Sequence, residues 1–180
     1  MSATPELPEI KESKTILDAF FMVRCDSLFF PRNHHAVDYY SIETRTDAVS
    51  ILAKTKEGLF VVNEEYRYPV RRYLLSLPGG YMDDNESPEQ SAERELLEET
   101  GYKAERFVLM GSSYPYAGVS NQQLFYVVAL GAEKVAEPKL EPAEILRTSV
   151  LNIEEINRRI AQGAPTDGIL CTALYYWANQ

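Results

Sequence analysis

The stretch that decides the fold is GGYMDDNESPEQSAERELLEETGY, residues 79–102. The apolar run YLLSL at 73–77 precedes it and predicts a strand. PGG at 78–80 predicts a turn after that strand, because glycine adopts backbone angles closed to other residues. Ser87, followed by a proline and then by a glutamine three residues on, predicts a capping box at the start of a helix. Gly101 predicts the end of that helix.

Three acidic residues share one face of the predicted helix, because Glu95, Glu98 and Glu99 stand at positions i, i+3 and i+4. Each like-charged pair at this spacing destabilises a helix by about 0.2–0.5 kcal/mol. Bound Mg²⁺ or Mn²⁺ reverses the argument, since hard cations prefer clustered carboxylate oxygens. Arg94 can reach Glu98 one turn later and hold that carboxylate in place. The plain alternative is a solvated acidic face.

The longer pattern favours the metal site. Gly80, then Glu86, then the run RELLEETG at 94–101 resembles the Nudix box at every charged and glycine position. The Nudix superfamily hydrolyses nucleoside diphosphates linked to another group, with Mg²⁺ or Mn²⁺ as cofactor. The resemblance implies that Glu98 also assists catalysis. The metal ligands that it implies are the carbonyl of Gly79 and the carboxylates of Glu95, Glu98 and Glu99.

The wider frame resembles one branch of the superfamily. EEYRYPV at 64–70, LPGGYMDDNESP at 77–88 and the loop at 114–120 are similar to ADP-ribose pyrophosphatases and nucleoside-diphosphate-sugar hydrolases, over residues 14–160. Such enzymes cleave the pyrophosphate bond of ADP-ribose or GDP-mannose to a nucleoside monophosphate and a sugar phosphate. Two other interpretations stay open. One is a Nudix hydrolase of dinucleoside polyphosphates or damaged nucleotides, and the other is a non-catalytic sensor of nucleotide sugars.

The same resemblance implies functional residues outside the box. Arg67 matches an arginine that contacts the diphosphate, a task suited to its bidentate hydrogen bonding. A loop glutamate, Glu141 or Glu144, is the implied general base. A solvated side chain is the alternative for each of these three residues. Further candidates for substrate contacts are Tyr40, Tyr116 and Ser120.

Two positions depart from the ADP-ribose-specific members of the branch. Those members carry a proline where this chain has Ala117, and they often carry an acid where it has Gln122. We therefore expect a broader or a different range of nucleoside diphosphate sugars in place of strict preference for ADP-ribose.

The composition of the chain limits the cellular compartment and the classes of partner that we expect. The chain of 180 residues has 45% apolar residues and a net charge of −9, which argues against nucleic acid and anionic membranes as partners. A phosphate substrate then needs cations to offset the repulsion. The sequence has no apolar run long enough to predict a membrane span. Cys25 and Cys171 match no metal or redox spacing, so we expect two buried, reduced thiols and a cytoplasmic protein.

The order of elements predicts a mixed α/β domain, and the resemblance implies a Nudix α/β/α sandwich with a mixed sheet, preceded by a small N-terminal β-sheet region. We expect a flexible arm at 1–13, an N-terminal strand region at 14–44 with a single strand over 16–30, and the Nudix domain at 45–180. The branch commonly forms homodimers through such N-terminal strands. Core packing is the expectation for most of the aromatic residues there, and nucleobase stacking is the alternative: Phe20, Phe21, Tyr39 and Tyr40.

Overall fold

A computed structural model describes residues 6–179. Contacts divide the chain into a smaller unit, which runs up to Arg45 and includes Tyr114–Gln122, and a larger unit made of Thr46–Ser113 and the chain from Gln123 onward. In the described chain no helix is long and apolar enough to cross a membrane.

The smaller unit is a three-stranded antiparallel sheet in the order β1-β2-β3. Its strands are β1 (Glu9–Asp18), β2 (Met22–Phe30) and β3 (His35–Glu43), with a short 3-10 turn at Pro31–Asn33 between the last two. The loop from Tyr114–Gln122 joins this unit through hydrogen bonds to β3. The Ile42 amide donates to the Val119 carbonyl at 2.7 Å, and the Tyr39 hydroxyl donates to the Gly118 carbonyl at 2.7 Å.

The N-terminal region differs from the expectation in two ways. Residues 9–13 of the expected arm belong to β1, because they pair with β2, while residues 1–5 lie outside the described residues. The single strand expected over 16–30 is two strands that reverse direction at 19–21, where Asp18 pairs with Met22. The reversal has no glycine, proline or asparagine to signal it.

Side-chain exposure corrects two further expectations. Core packing was the expectation for most of four aromatic residues, and it is wrong, because all four are exposed: Phe20, Phe21, Tyr39 and Tyr40. Of the two cysteines, Cys25 is buried and Cys171 is exposed, and both are free thiols. The exposure of Cys171 follows from its place on the outer side of the last helix, whose neighbours Leu170 and Ala173 are the buried residues.

The larger unit holds a seven-stranded mixed sheet and three helices. Along its main path the strand order is β10-β5-β4-β9-β7, with β6 paired to β5 and β8 paired to β9. The central β4–β9 pair is parallel, and the other pairs are antiparallel. The elements are β4 (Ala48–Thr55), β5 (Phe60–Arg67), β6 (Arg72–Ser76), α1 (Pro88–Thr100), β7 (Tyr102–Lys103), β8 (Arg106–Ser113), β9 (Leu124–Lys134), β10 (Leu146–Leu151), α2 (Ile153–Ala161) and α3 (Gly168–Ala178).

Alternation along β4 places two apolar cores on opposite faces of the sheet. Ile51 packs with Leu96 of α1 in one core, whereas Leu52 packs with Ile156 of α2 and Leu170 of α3 in the other. Strands buried on both faces read as continuous apolar runs, which explains the sequence AVSILA in β4. The predicted α/β/α sandwich with a mixed sheet is confirmed.

Helix α1 has the predicted start and end. The Ser87 hydroxyl accepts from the Gln90 amide at 3.3 Å, and the Gln90 side chain accepts from the Ser87 amide at 2.9 Å. Gly101 ends the helix in the left-handed region with φ of 73°, and its amide donates to the Leu97 carbonyl. Because both ends depend on local hydrogen bonds, their positions follow from the sequence.

Candidate active site

Two of the three acidic residues on the helix face are buried. Glu95 and Glu99 are 8% and 6% exposed, while the Glu98 side chain is 50% exposed. Burying a carboxylate is costly unless it is paired or hydrogen-bonded. The three carboxylates share one face of the helix, as predicted, but two of them are buried and the third is exposed.

The Glu99 carboxylate is held by two neutral donors on one of its oxygens. The Asn63 amide group of β5 donates to Oε2 at 2.9 Å, and the Gly79 backbone amide donates to the same oxygen at 3.2 Å. Neighbouring carbonyls in this turn are used by β4, since Ile51 donates to the Pro78 carbonyl at 2.9 Å. The turn and the buried strand thus present donors to one side of Glu99.

Arg94 organises the other carboxylates. Its guanidinium binds both oxygens of Glu86, at 3.1 and 2.9 Å, and lies 2.6 Å from Glu95 Oε1. It also donates to the Tyr81 carbonyl at 3.0 Å. The predicted contact with Glu98 is present at 3.4 Å, but Glu86 and Glu95 are the closer partners. This planar fork fixes the loop before α1 against the helix.

Burial and crowding set the protonation of these groups. Burial, with the negative charges of Glu95 and Glu144, raises the pKa of Glu99 well above its usual value. Burial also raises the pKa of Glu95, against the opposing effect of Arg94. In contrast, hydrogen bonds from Arg94 lower the pKa of Glu86. The buried pair is therefore short of positive charge.

The donors in this region suit a hard divalent cation. Within residues 6–179 no group of three or more Asp, Glu, His or Cys side chains is placed so that it could hold a metal ion by itself. Arg94 contacts only Oε1 of Glu95, and the two donors to Glu99 contact only Oε2, so each carboxylate keeps one oxygen outside these hydrogen bonds. Carboxylate oxygens are the ligands that Mg²⁺ and Mn²⁺ prefer.

Gly80 leaves room for this arrangement. A Cβ atom at Gly80 would lie 2.6 Å from Glu95 Oε1. Any larger residue would therefore displace the Glu95 carboxylate. The Gly79 carbonyl, expected as a further ligand, takes no part in the hydrogen bonds that Val49 and Ile51 make to the carbonyls on either side of it.

One of the two candidate glutamates in the loop after β9 acts electrostatically on the buried pair. The loop is tied to the end of α1, because the Lys139 backbone amide donates to the Glu98 carbonyl at 2.7 Å. The Glu144 charge adds to the raised pKa values of both Glu95 and Glu99, after burial as the main cause. The Glu141 amide donates to the Glu144 carboxylate at 2.7 Å.

Arg67 lies at the end of β5 and forms an ion pair with Glu65 at 2.6 Å. Burial raises the pKa of Glu65, with Arg67 opposing the shift and Glu144 adding to it. Arg67 is thus linked through Glu65 to the region around Glu144. Its guanidinium is half-exposed, so one side of it faces solvent.

The three further substrate-contact candidates lie in the smaller unit. Tyr40 is on β3 and is 59% exposed, and Tyr116 is in the loop and is 51% exposed. The Ser120 hydroxyl accepts from the Gln122 amide at 3.2 Å. The buried carboxylates belong to the larger unit.

Two residues of this region were missed from the sequence. Asn63 contacts Glu99, and Glu65 pairs with Arg67. A signal was present for both, since FVVNEEYR places polar residues at inward positions of a strand that begins as an apolar run. Nothing local indicated that Asn63 contacts Glu99, which lies 36 residues away.

A profile of the NUDIX domain matches residues 44–170, which is more than half of the chain. The chain belongs to the Nudix family. The match covers the buried glutamates, the Arg94 fork and the loop with Glu144. This protein is a Nudix hydrolase, and such enzymes in general work with divalent metal cations.

Several known proteins are similar to this Nudix hydrolase. An ADP-ribose pyrophosphatase of Bacillus subtilis (strain 168) is 27% identical over 130 residues, which are 72% of this chain and 70% of the relative. A methanol dehydrogenase activator of Bacillus methanolicus is 29% identical over 130 residues, with the same coverage of 72% and 70%. A crystal structure of an ADP compounds hydrolase matches with a TM-score of 0.86 and 22% identity, covering 99% of this chain and 96% of that chain.

The raised pKa of Glu99 predicts how stability depends on pH in the metal-free protein. A carboxyl with a higher pKa in the folded state binds more protons folded than unfolded, so stability falls as pH rises from the unfolded value of 4.5 through the folded one. We expect Glu99→Gln to melt at a higher temperature than wild type at about pH 8, and the difference to shrink toward about pH 5. Thermal unfolding followed by circular dichroism in chelator measures this.

Glu98→Gln is the matched control, because the Glu98 side chain is half-exposed on the same helix. It should leave the pH dependence of the melting temperature close to that of wild type. If the melting temperature of Glu99→Gln stays at or below that of wild type across this pH range, the conclusion that burial of ionised Glu99 destabilises the fold is contradicted.

Proposed function

We propose that this Nudix hydrolase cleaves the pyrophosphate bond of nucleoside diphosphate sugars of the ADP-ribose and GDP-mannose type, giving a nucleoside monophosphate and a sugar phosphate. The observation that carries the proposal is the buried carboxylate pair of Glu95 and Glu99 beside the Gly79 turn. The names of the similar pyrophosphatase and of the similar ADP compounds hydrolase support the substrate class. Ala117 and Gln122 favour a broad range of sugars.

In the proposed reaction, water attacks one phosphorus of the diphosphate and the other phosphate leaves. The carboxylates of Glu95, Glu98 and Glu99 and the Gly79 carbonyl hold the divalent cation, which we take to be Mg²⁺ or Mn²⁺. When bound, the cation neutralises the diphosphate and lowers the pKa of a water molecule. Arg94 keeps Glu95 and Glu98 in place.

Two residues outside the box complete the proposed site. Glu144 takes the proton of the attacking water as general base, since its charge reaches both buried glutamates. Arg67 supplies a fixed positive charge to the phosphate on which negative charge builds. To do so it presents the solvent-facing side of its guanidinium while Glu65 holds the other side. Tyr40, Tyr116 and Ser120, which belong to the smaller unit, stay predictions of substrate contact.

The first test is a substrate panel with either metal ion. We expect release of phosphomonoester from ADP-ribose and GDP-mannose, and a loss in Glu99→Gln larger than the roughly 10–100-fold that outer-shell partners cost. Glu98→Gln should also remove most turnover. Activity is measured as phosphate released by an added phosphatase, and circular dichroism checks the fold.

Glu93→Gln is the control for that test, because Glu93 is exposed on the same helix. Turnover confined to dinucleoside polyphosphates or damaged nucleotides would replace the proposed substrate class. Binding of ADP-ribose without any turnover would instead identify a sensor. Near-normal activity of a Glu98→Gln, Glu99→Gln double variant would refute the metal site.

The loop glutamates give a second prediction. Loss of a general base costs about 10²–10⁴-fold in rate, so Glu144→Gln should lower kcat by that order. Glu141→Gln should cost far less, because the structure uses only its backbone amide to hold Glu144. The pair is compared by kcat at saturating substrate and metal. A larger loss in Glu141→Gln would reverse the assignment.

We also propose that the protein is a cytoplasmic homodimer that uses neither nucleic acid nor membranes as partners. Every residue of β1 is exposed, including Ile10 at 63% and Ile16 at 57%. Exposed apolar positions of this kind mark association surfaces when they cluster. Two free thiols suit a reducing compartment.

The dimer is tested by sedimentation velocity. Because lysine cannot be buried in an apolar interface without a partner, the double variant Ile10→Lys, Ile16→Lys should sediment as a monomer under conditions in which wild type is a dimer. Val135→Lys, at an equally exposed apolar position in the larger unit, should leave the dimer intact. Monomeric wild type would refute the proposal.

A further inference from the structure

Asn63 is a fully buried polar residue in the middle of an apolar strand. It is 0% exposed and follows Val61 and Val62, which are also fully buried. An unpaired buried amide costs roughly 1–3 kcal/mol, so such a residue is retained only where its hydrogen bonds are made. The hydrogen-bond partners of the Asn63 side chain should therefore explain why it is retained in this strand.

Both ends of the Asn63 side chain are hydrogen-bonded. Its Nδ2 donates to Glu99 Oε2 at 2.9 Å, and its Oδ1 accepts from the Thr148 hydroxyl at 2.9 Å. Thr148 stands directly opposite Asn63 in the antiparallel β5–β10 pairing. The three residues thus form a continuous chain from the edge strand β10 to the carboxylate of α1.

The chemistry of the two ends fixes the orientation of the amide. The Oε2 atom of Glu99 already accepts from the Gly79 amide, and a carboxylate that binds a cation is ionised and only accepts hydrogen bonds, so the NH₂ group of Asn63 faces Glu99. The carbonyl oxygen then faces Thr148, whose hydroxyl is able to donate. A threonine hydroxyl at this position therefore stabilises the one amide orientation that supports Glu99.

These hydrogen bonds also determine which oxygen of Glu99 is available. Asn63 and the Gly79 amide both donate to Oε2, which leaves Oε1 outside these hydrogen bonds. Partners of this kind orient metal-binding side chains, and their loss typically costs about 10–100-fold in metal affinity or activity.

We infer that Asn63 and Thr148 are positioning residues that hold the Glu99 carboxylate with Oε1 presented to a divalent cation. The inference rests on the proposed function, because it takes Glu99 as a metal ligand. It assigns to the β5–β10 edge a role in metal affinity that is separate from the residues of the Nudix box.

Metal binding without substrate tests the inference. Mn²⁺ is titrated into the purified full chain, and free Mn²⁺ is followed by its electron paramagnetic resonance signal. Thr148→Val keeps the shape of the side chain but removes the hydroxyl, and should weaken Mn²⁺ binding about three- to ten-fold, as expected for one lost hydrogen bond. Asn63→Ala should weaken it by about ten-fold or more.

Two variants separate positioning from packing. Thr148→Ser restores the hydroxyl and should bind Mn²⁺ more tightly than Thr148→Val. Ser149→Val introduces the same valine at the next, exposed residue of β10, whose side chain points to the other face, and should bind like wild type. Circular dichroism melts confirm that each variant is folded at the titration temperature.

The outcomes distinguish the inference from the proposed function. Wild type that binds Mn²⁺, together with Glu99→Gln that does not, supports the metal site. If in the same experiment Thr148→Val and Asn63→Ala bind as wild type does, the inference is overturned while the metal site stands. Wild type that fails to bind Mn²⁺ contradicts both.

Discussion

The burial of two carboxylates on one helix is the constraint on which the rest of this structure depends. Glu95 and Glu99 are almost fully removed from water. A buried charge is tolerated only where it is paired or hydrogen-bonded. Arg94 pairs with Glu95, and Asn63 and the Gly79 amide donate hydrogen bonds to Glu99. These partners come from the helix, the central sheet and the turn before the helix. The hydrogen bonds that the buried carboxylates need therefore connect three parts of the fold.

The same constraint connects the fold to chemistry. The protein supplies donors to one oxygen of each buried carboxylate, while the pKa values of both remain raised. Positive charge is therefore still lacking where a pyrophosphate would bring more negative charge. Nudix hydrolases in general work with divalent cations, and a cation at the proposed site would supply the missing positive charge. The loop with Glu144, anchored to the end of α1 through the Glu98 carbonyl, approaches the same region.

Local signals explain what was predictable. The ends of α1 depend on Ser87, Gln90 and Gly101, which act within a few residues of the helix, and both ends were placed correctly. The position of the acidic residues on one face follows from helical spacing alone. The hairpin at 19–21 was not predictable in this way, because its turn lacks glycine, proline and asparagine and depends on strand pairing.

Long-range contacts decided the rest. The sequence by itself determined the family, the capped helix and the three acids on its face, because each depends on spacing within one short stretch. Only the tertiary structure showed that Glu98 stays exposed while Glu99 is buried against Asn63, 36 residues away, and that Asn63 is oriented by Thr148, 85 residues further along. Hydrogen bonds between residues so far apart form only when the sheet brings their strands together, and no local pattern encodes that pairing.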